Sequence, residues 1–159
     1  MKIVLANDHA GFALKAAVIR ILHEAGHEVL DVGTQDDAPV DFPLVTQRLT
    51  RVLLGGEADR GVLVCGTGVG ACIAANKVPG IRAAVIHDVY SAAQSVEHDD
   101  VNVACLGAWI VGPKVAGTAL EAFTKARFST DPDFRRRVAQ LADMERTHNP
   151  LAQVATKAE

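Results

Sequence analysis

Short runs of apolar residues alternate along the chain with longer segments in which apolar residues recur at helical spacing. Leu14, Val18 and Leu22 lie on one stripe of a helix, and residues 45–53 repeat that spacing. The near-continuous apolar runs are typical of strands buried on both faces of a parallel sheet. The alternation therefore predicts a doubly wound α/β fold with a five-stranded parallel sheet. The predicted strands are residues 3–6, 27–32, 61–65, 83–87 and 103–106.

Beyond Gly112 and Pro113 the pattern becomes wholly helical. It predicts one helix over residues 115–128 and, after a "STDPD" break, a second helix with Phe134 and Leu141 on its apolar stripe. These stripes exceed what one sheet can cover, so we expect the C-terminal helices to serve in dimerisation. Residues 1–149 are predicted to form a single domain, and residues 150–159 a frayed tail.

Composition limits the classes of partner. The chain has 159 residues, of which 49% are hydrophobic and 22% charged, as expected for one globular domain. The net charge of -3 and the scattered basic residues argue against nucleic acid, although a small anion needs only a local site. No apolar run approaches the roughly 20 residues of a membrane span. Three unpaired cysteines and an N-terminus unlike a signal peptide predict a reducing, cytoplasmic location.

Residues that directly follow the strands carry most of the candidate chemistry. Ligands of open parallel sheets bind at the carboxyl ends of the strands. The glycines after the third strand allow backbone N–H groups to approach an anion closely. The candidates are Asn7, Asp8, His9, Cys65, Gly66, Thr67, Gly68, Gly70, His87 and Asp88.

Several interpretations of the loop after Cys65 compete. Gly66, Gly68 and Ala71 satisfy a dinucleotide-binding fingerprint, but that fingerprint normally occupies the first strand–helix turn of a larger unit. A cysteine phosphatase loop is excluded, because Ala71 stands where it needs arginine. Cys65 as a base or nucleophile, with its thiol pKa lowered by the helix N-terminus, is favoured over Cys65 as apolar filler. For Asp8, the alternative to a role in the site is a structural role as the cap of the following helix.

Four segments together resemble the type B ribose-5-phosphate isomerases and their galactose-6-phosphate isomerase relatives. They are "NDHAGFALK", "DVGTQDDAPVDFP", "GVLVCGTGVGACIAANKVPGIRAA" and "HDDVNVACLGA". The resemblance implies a Rossmann-like sheet, a homodimer or homotetramer with sites at the subunit interface, and neither metal nor other cofactor. It also implies a small sugar-phosphate substrate.

The resemblance assigns roles to individual residues. Cys65 matches the base that moves a proton between C2 and C1 of the open-chain sugar, and Thr67 and His98 match residues that assist ring opening. Asp8 matches a contact to the sugar hydroxyls, and His9 lines the ligand site. The substrate-binding set also includes Gly66, Gly68, Gly70, Asp99 and Arg137, the last as a phosphate ligand. From the residues alone, the alternative to a catalytic role for His98 is that it is a solvated loop histidine.

The chain departs from the family at the phosphate end of the site. Trp109 and Asp133 stand at usual arginine positions, Asp99 at a usual asparagine and Phe42 at a usual tyrosine. The default expectation is ribose 5-phosphate and ribulose 5-phosphate, with a tetrose 4-phosphate or hexose 6-phosphate as alternatives, unless Arg135 or Arg136 replaces the lost charge. A non-catalytic nucleotide-binding module is the alternative from another class.

Overall fold

The computed structural model describes residues 1–148, so the predicted tail, 150–159, lies outside the described residues. The strands are β1 (Lys2–Asn7), β2 (Glu28–Asp31), β3 (Arg60–Cys65), β4 (Ala83–Val85) and β5 (Val103–Gly107). The helices are α1 (Phe12–Glu24), α2 (Phe42–Leu54), α3 (Val69–Ala75), α4 (Val89–Asp99), α5 (Pro113–Lys125) and α6 (Pro132–His148), and a 3₁₀ turn (His9–Gly11) precedes α1.

All five strands are parallel, in the order β2-β1-β3-β5-β4. Helices α2 and α3 cover one face of the sheet, and α1, α4 and α5 cover the other. Each face has its own apolar core, one centred on Phe123 and Ile3 and the other on Leu49 and Leu63. The predicted doubly wound, Rossmann-like parallel sheet is confirmed.

The two central strands bring the first two groups of candidate residues together. The chain passes from β1 to β2 on one side and then crosses to β3 on the other, so the gap between β1 and β3 is the point where ligands bind in such sheets. Asn7 pairs with Val64, and the Asp8 N–H donates to the Val64 carbonyl at 3.2 Å. Asp8 and Cys65 therefore leave the sheet side by side.

Two elements end at least two residues earlier than the sequence predicts, each because of a long-range contact. Strand β4 ends at Val85 rather than at His87, because the His87 ring, not a strand carbonyl, accepts the Gly107 N–H at 2.9 Å. Helix α5 ends at Lys125 rather than at residue 128. There the Arg60 guanidinium donates to the carbonyls of Phe123 and Ala126, which replaces the next helical turn.

Within residues 1–148, no helix has both the length and the apolar character needed to cross a membrane.

Candidate active site

Asp8 and Cys65 form the centre of the site. Asp8 is buried, and its carboxylate accepts the Gly11 N–H at 2.9 Å, which caps the 3₁₀ turn before α1. The same carboxylate lies close enough to the Cys65 thiol to raise the pKa of that thiol. A Cβ at Gly11 would lie 2.0 Å from the Val64 carbonyl oxygen, so only glycine lets the turn pack this closely against β3. Asp8 thus serves as the cap and also faces the thiol.

The glycine loop holds Cys65 between backbone amides. The amides of Gly66 and Gly68 face the Cys65 sulfur. Gly68 has a φ of 78°, in the left-handed region, and a Cβ there would lie 3.1 Å from the Leu106 backbone. The Ala108 N–H donates to the Cys65 carbonyl at 2.8 Å and fastens the loop to the end of β5. The loop thereby presents N–H groups beside a sulfur, an arrangement suited to a developing oxyanion.

The expected lowering of the Cys65 pKa is wrong in this structure. Burial is the largest cause and raises the pKa, and the hydrogen bond to Asp8 and its negative charge raise it further. The amides of Gly68 and Gly66 act in the opposite direction but do not prevail. Helix α3 is only seven residues long, and the nearby carboxylate disfavours the thiolate directly. Sequence reasoning placed Asp8 near the thiol but omitted its charge.

His9 and Gly70 border the same site. The Val40 N–H donates to Nδ1 of His9 at 3.2 Å, so the ring is held by the segment that leads into α2. The Phe42 ring lies against Gly70, where a Cβ would be 3.3 Å from it. The Thr67 hydroxyl accepts the Val69 N–H at 3.3 Å. His9, Thr67 and Gly70 thus lie on the segments that follow β1 and β3, at the same edge of the sheet as Cys65.

Two neighbouring side chains, His87 and Trp109, were noted in the sequence but were assigned no catalytic or binding role. The His87 ring, through its bond to the Gly107 N–H, supports the backbone that packs against Thr67; burial lowers the pKa of this histidine. The indole of Trp109 covers Gly66, where a Cβ would lie 2.7 Å from the ring. The position of His87 at a strand end was a usable signal, whereas the direction of the Trp109 side chain was not readable from the sequence.

His98, Asp99 and Arg137 lie at the opposite end of the sheet from Cys65. His98 is in the last turn of α4 rather than in a loop, and its ring stacks on Phe134 of α6 with centroids 3.9 Å apart. The Arg137 guanidinium lies 5.5 Å from the centre of the same Phe134 ring. Strand β5 leads from this end to the glycine loop and is about 13 Å long at ~3.3 Å per residue. Within one chain these three residues do not meet Cys65.

The two arginines that precede Arg137 have local partners. Arg136 forms an ion pair with Asp133 at 2.5 Å, which holds the pKa of that carboxyl below its usual range. The Arg135 guanidinium lies 4.9 Å from the centre of the Phe128 ring. Of these three arginines, Arg137 is the one that shares the Phe134 ring with His98.

No group of three or more histidine, cysteine or acidic side chains within residues 1–148 is arranged to hold a metal ion.

Comparison with known proteins identifies the family. The Ribose/Galactose Isomerase family matches residues 3–141. Ribose-5-phosphate isomerase B of Escherichia coli K12 is 39% identical over 148 residues, 93% of this chain and 99% of that protein. D-erythrulose-4-phosphate isomerase 2 of Mycolicibacterium smegmatis is 43% identical over 120 residues, 73% of this chain and 78% of that protein.

The fold comparison agrees. The structure of Clostridium thermocellum ribose-5-phosphate isomerase B superposes with a TM-score of 0.90 at 40% identity, covering 94% of this chain and 100% of that one. These matches favour an isomerase over a nucleotide-binding module. The chain belongs to the ribose/galactose isomerase family and is an aldose–ketose isomerase.

Proposed function

We propose that the chain interconverts the aldose and ketose forms of a small sugar phosphate, with Cys65 as the base. The observation that carries this proposal is the position of the Cys65 sulfur, between the Asp8 carboxylate and the amides of Gly66 and Gly68. Isomerisation moves a proton between C2 and C1 through an enediolate. It needs a base beside the carbon and hydrogen-bond donors beside the oxygen, and this loop offers both.

The raised pKa of Cys65 is compatible with that role. A thiolate with a higher pKa is a stronger base, although a smaller fraction of it is ionised at neutral pH. Turnover should therefore increase as the pH rises toward the pKa of Cys65. Asp8, which is buried beside the thiol, is in reach to accept hydrogen bonds from the hydroxyls of a sugar held over the loop.

A second copy of the chain is part of the proposal. His98 and Arg137 are separated from Cys65 by the length of the sheet, yet the resemblance gives them substrate-contacting roles. We expect the site to be completed by His98 and Arg137 of the partner subunit. Their joint packing on Phe134 makes them one preassembled unit that a neighbouring copy can present.

We propose a tetrose 4-phosphate, such as the erythrose/erythrulose pair, as the preferred substrate. Two arginine positions of the family are Trp109 and Asp133, and Asp133 also neutralises Arg136. Charge-assisted contacts to phosphate contribute about 1.5–3 kcal/mol each, so the loss of two should weaken a ribose 5-phosphate complex by on the order of a hundredfold. The Trp109 indole over Gly66 also favours a shorter substrate.

The comparisons leave the pentose phosphate as the second candidate. The relative with 43% identity is named as an erythrulose-4-phosphate isomerase, but the one with 39% identity over more of the chain is named as a ribose-5-phosphate isomerase. A tetrose 4-phosphate cannot close a furanose ring, because its C4 oxygen is esterified. It would therefore not need the ring-opening contribution expected of Thr67 and His98.

The test of the substrate is the catalytic efficiency, kcat/KM, over a panel of tetrose, pentose and hexose phosphates. We expect the tetrose 4-phosphate to exceed ribose 5-phosphate by about a hundredfold, from the two missing charged contacts. Restoring arginine with Asp133→Arg should raise kcat/KM for ribose 5-phosphate, with Asp131→Arg, two residues earlier, as the matched control. A wide preference of the unaltered protein for ribose 5-phosphate would reject the tetrose assignment and leave the isomerase assignment intact.

The test of the base is Cys65→Ala. It should abolish isomerisation of every substrate in the panel, because the thiol is the group proposed to take the carbon-bound proton and alanine has no basic atom. Substrate binding, measured by calorimetry, should persist. Cys72→Ala is the matched control on the same segment and should retain most activity. Near-normal turnover in Cys65→Ala would remove the thiol from the mechanism.

A further inference from the structure

Two cysteines outside the proposed site lie next to each other. Cys72 is in α3 and is half-buried, and Cys105 is in β5 and is fully buried. Cys72 packs against the apolar cluster that contains Cys105, and each thiol is close enough to change the pKa of the other. Nothing in the isomerisation proposed above uses either sulfur.

The backbone explains why the two side chains meet. Gly68 packs on β5 so closely that a Cβ there would lie 3.4 Å from the carbonyl carbon of Cys105. The Cys72 N–H donates to the Gly68 carbonyl at 3.0 Å, so Cys72 lies one helical turn further along on the same face of α3. The glycine contact thus fixes Cys72 over the strand that carries Cys105.

The surroundings make the two thiols chemically unequal. The hydrogen bond from Cys105 is the largest cause that lowers the pKa of Cys72, to about 7, against the opposing effect of burial. The Asn76 side-chain amide contributes by donating to the Cys72 sulfur at 3.6 Å. The contact with Cys72 and complete burial raise the pKa of Cys105 well above its usual value. At neutral pH about half of the Cys72 thiol is thus ionised, beside a Cys105 thiol that keeps its proton.

We propose that Cys72 and Cys105 form a reversible dithiol–disulfide site, in which a hydroperoxide oxidises Cys72 and Cys105 converts the product to an intramolecular disulfide. Cys72 is the more exposed of the two residues, and the buried Cys105 lies beside it as the resolving thiol. In a reducing compartment both would rest as thiols, so the disulfide would form only on exposure to peroxide.

The chemistry balances in two steps. The Cys72 thiolate attacks the peroxide, an S–O bond forms, the O–O bond breaks, and the leaving oxygen takes a proton to become water or an alcohol. The Cys105 sulfur then attacks the Cys72 sulfenic acid, an S–S bond forms, and the S–O bond breaks. The departing hydroxide takes the Cys105 proton and leaves as water. The two sulfurs lose two electrons, and the peroxide gains them.

The experiment uses Cys65→Ala, in which Cys72 and Cys105 are the two cysteines left in the chain. After treatment with hydrogen peroxide, mass spectrometry should show a loss of two hydrogens, and a tryptic digest should link residues 61–77 to residues 83–114. Non-reducing electrophoresis should keep the chain at monomer mass, and dithiothreitol should restore both thiols. If Cys65→Ala does not fold, fragmentation of the same linked peptides from the unaltered protein assigns the bond.

Adding Cys105→Ala to Cys65→Ala separates the two steps. Without its resolving partner, Cys72 should accumulate as a sulfenic acid that dimedone traps, and then proceed to the sulfinic acid. In Cys65→Ala, adding Cys72→Ala should slow alkylation of the remaining thiol at pH 7 by at least about tenfold relative to adding Cys105→Ala, because Cys105 is fully buried and Cys72 is only half-buried. A disulfide between chains, or oxidation of Cys72 to sulfinic acid while Cys105 stays a thiol in Cys65→Ala, would overturn the proposal.

Discussion

Asp8 shows how one side chain can satisfy two readings of a sequence. Its position before a helix predicted a cap, and its place in the "NDHAG" segment predicted a contact to substrate. In the structure the Asp8 carboxylate caps the turn by accepting the Gly11 N–H, and the same carboxylate lies beside the Cys65 thiol. Buried carboxylates seldom lie beside an ionisable thiol without changing its titration. Asp8 therefore controls the ionisation of Cys65 as well as the local fold.

Asp8→Asn should lower the pKa of Cys65. In the unaltered protein the Asp8 carboxylate stabilises the protonated thiol and repels the thiolate, and both effects raise the pKa of Cys65. An asparagine amide oxygen can still cap Gly11 but carries no charge. The measurement is the pH dependence of Cys65 alkylation in a Cys72→Ala background, where the midpoint should move to lower pH.

Asp88→Asn is the matched control for this change. Asp88 follows β4, which β5 separates from β3, and it caps α4 by accepting the Ser91 N–H at 2.7 Å. It is not among the groups that shift the pKa of Cys65. Its replacement should leave the midpoint unchanged. A midpoint that stays in place or rises in Asp8→Asn would show that burial alone sets the pKa of Cys65.

At the scale of elements, periodicity predicted what depends on local sequence and missed what depends on distant contacts. The apolar runs located all five strands, although only the three inner strands β1, β3 and β5 are mostly buried and the edge strands β2 and β4 are partly exposed. The ends of β4 and α5 were misplaced, because His87 and Arg60 terminate them by bonding to groups far along the chain. The site residues at the strand ends were predictable for the same reason as the strands. The pKa of Cys65 was not, because it depends on how closely Asp8 approaches.

Lys15 makes an energetic link between α1 and the end of β2. Its ammonium lies 2.6 Å from the Asp31 carboxylate and donates to the Thr34 carbonyl at 2.6 Å, with only 7% of the side chain exposed. Lys15→Met retains the apolar stem but leaves Asp31 without its cation. Because Asp31 is partly exposed, we expect a loss near the lower limit for a buried pair, about 3 kcal/mol in the free energy of unfolding.

Urea unfolding measures this loss as a lower midpoint with an unchanged slope. Arg20→Met on the same helix is the control, since the Arg20–Glu24 pair is exposed and 3.9 Å apart. Exposed pairs one turn apart contribute less than about 0.5 kcal/mol. Equal, small changes in the two variants would show that the buried pair adds no net stability.

At the scale of the whole molecule, the two ends of the sheet carry complementary halves of the proposed chemistry. Cys65 and Asp8 lie at the carboxyl end, and His98 and Arg137 lie at the amino end. Large apolar side chains are exposed around the carboxyl end, a pattern typical of a surface that another protein covers. They are Phe42, Leu44, Val69, Ile73, Val89, Tyr90, Trp109 and Ile110. A second copy of the chain would cover this surface and bring its own His98 and Arg137.

Mixing two inactive variants tests that assembly directly. Cys65→Ala lacks the base but keeps Arg137, and Arg137→Ala has the converse defect. If each site takes Cys65 from one subunit and Arg137 from the other, a mixed dimer contains one intact site. Equal amounts of the two variants, unfolded and refolded together, should give half mixed dimers and so recover about a quarter of normal activity.

Cys65→Ala mixed with Asp8→Ala is the control. Asp8 and Cys65 belong to the same chain's half of the site, so a mixed dimer of these two variants would hold no intact site. Absence of recovery in the first mixture, with light scattering showing dimers, would mean that each site is built from a single chain.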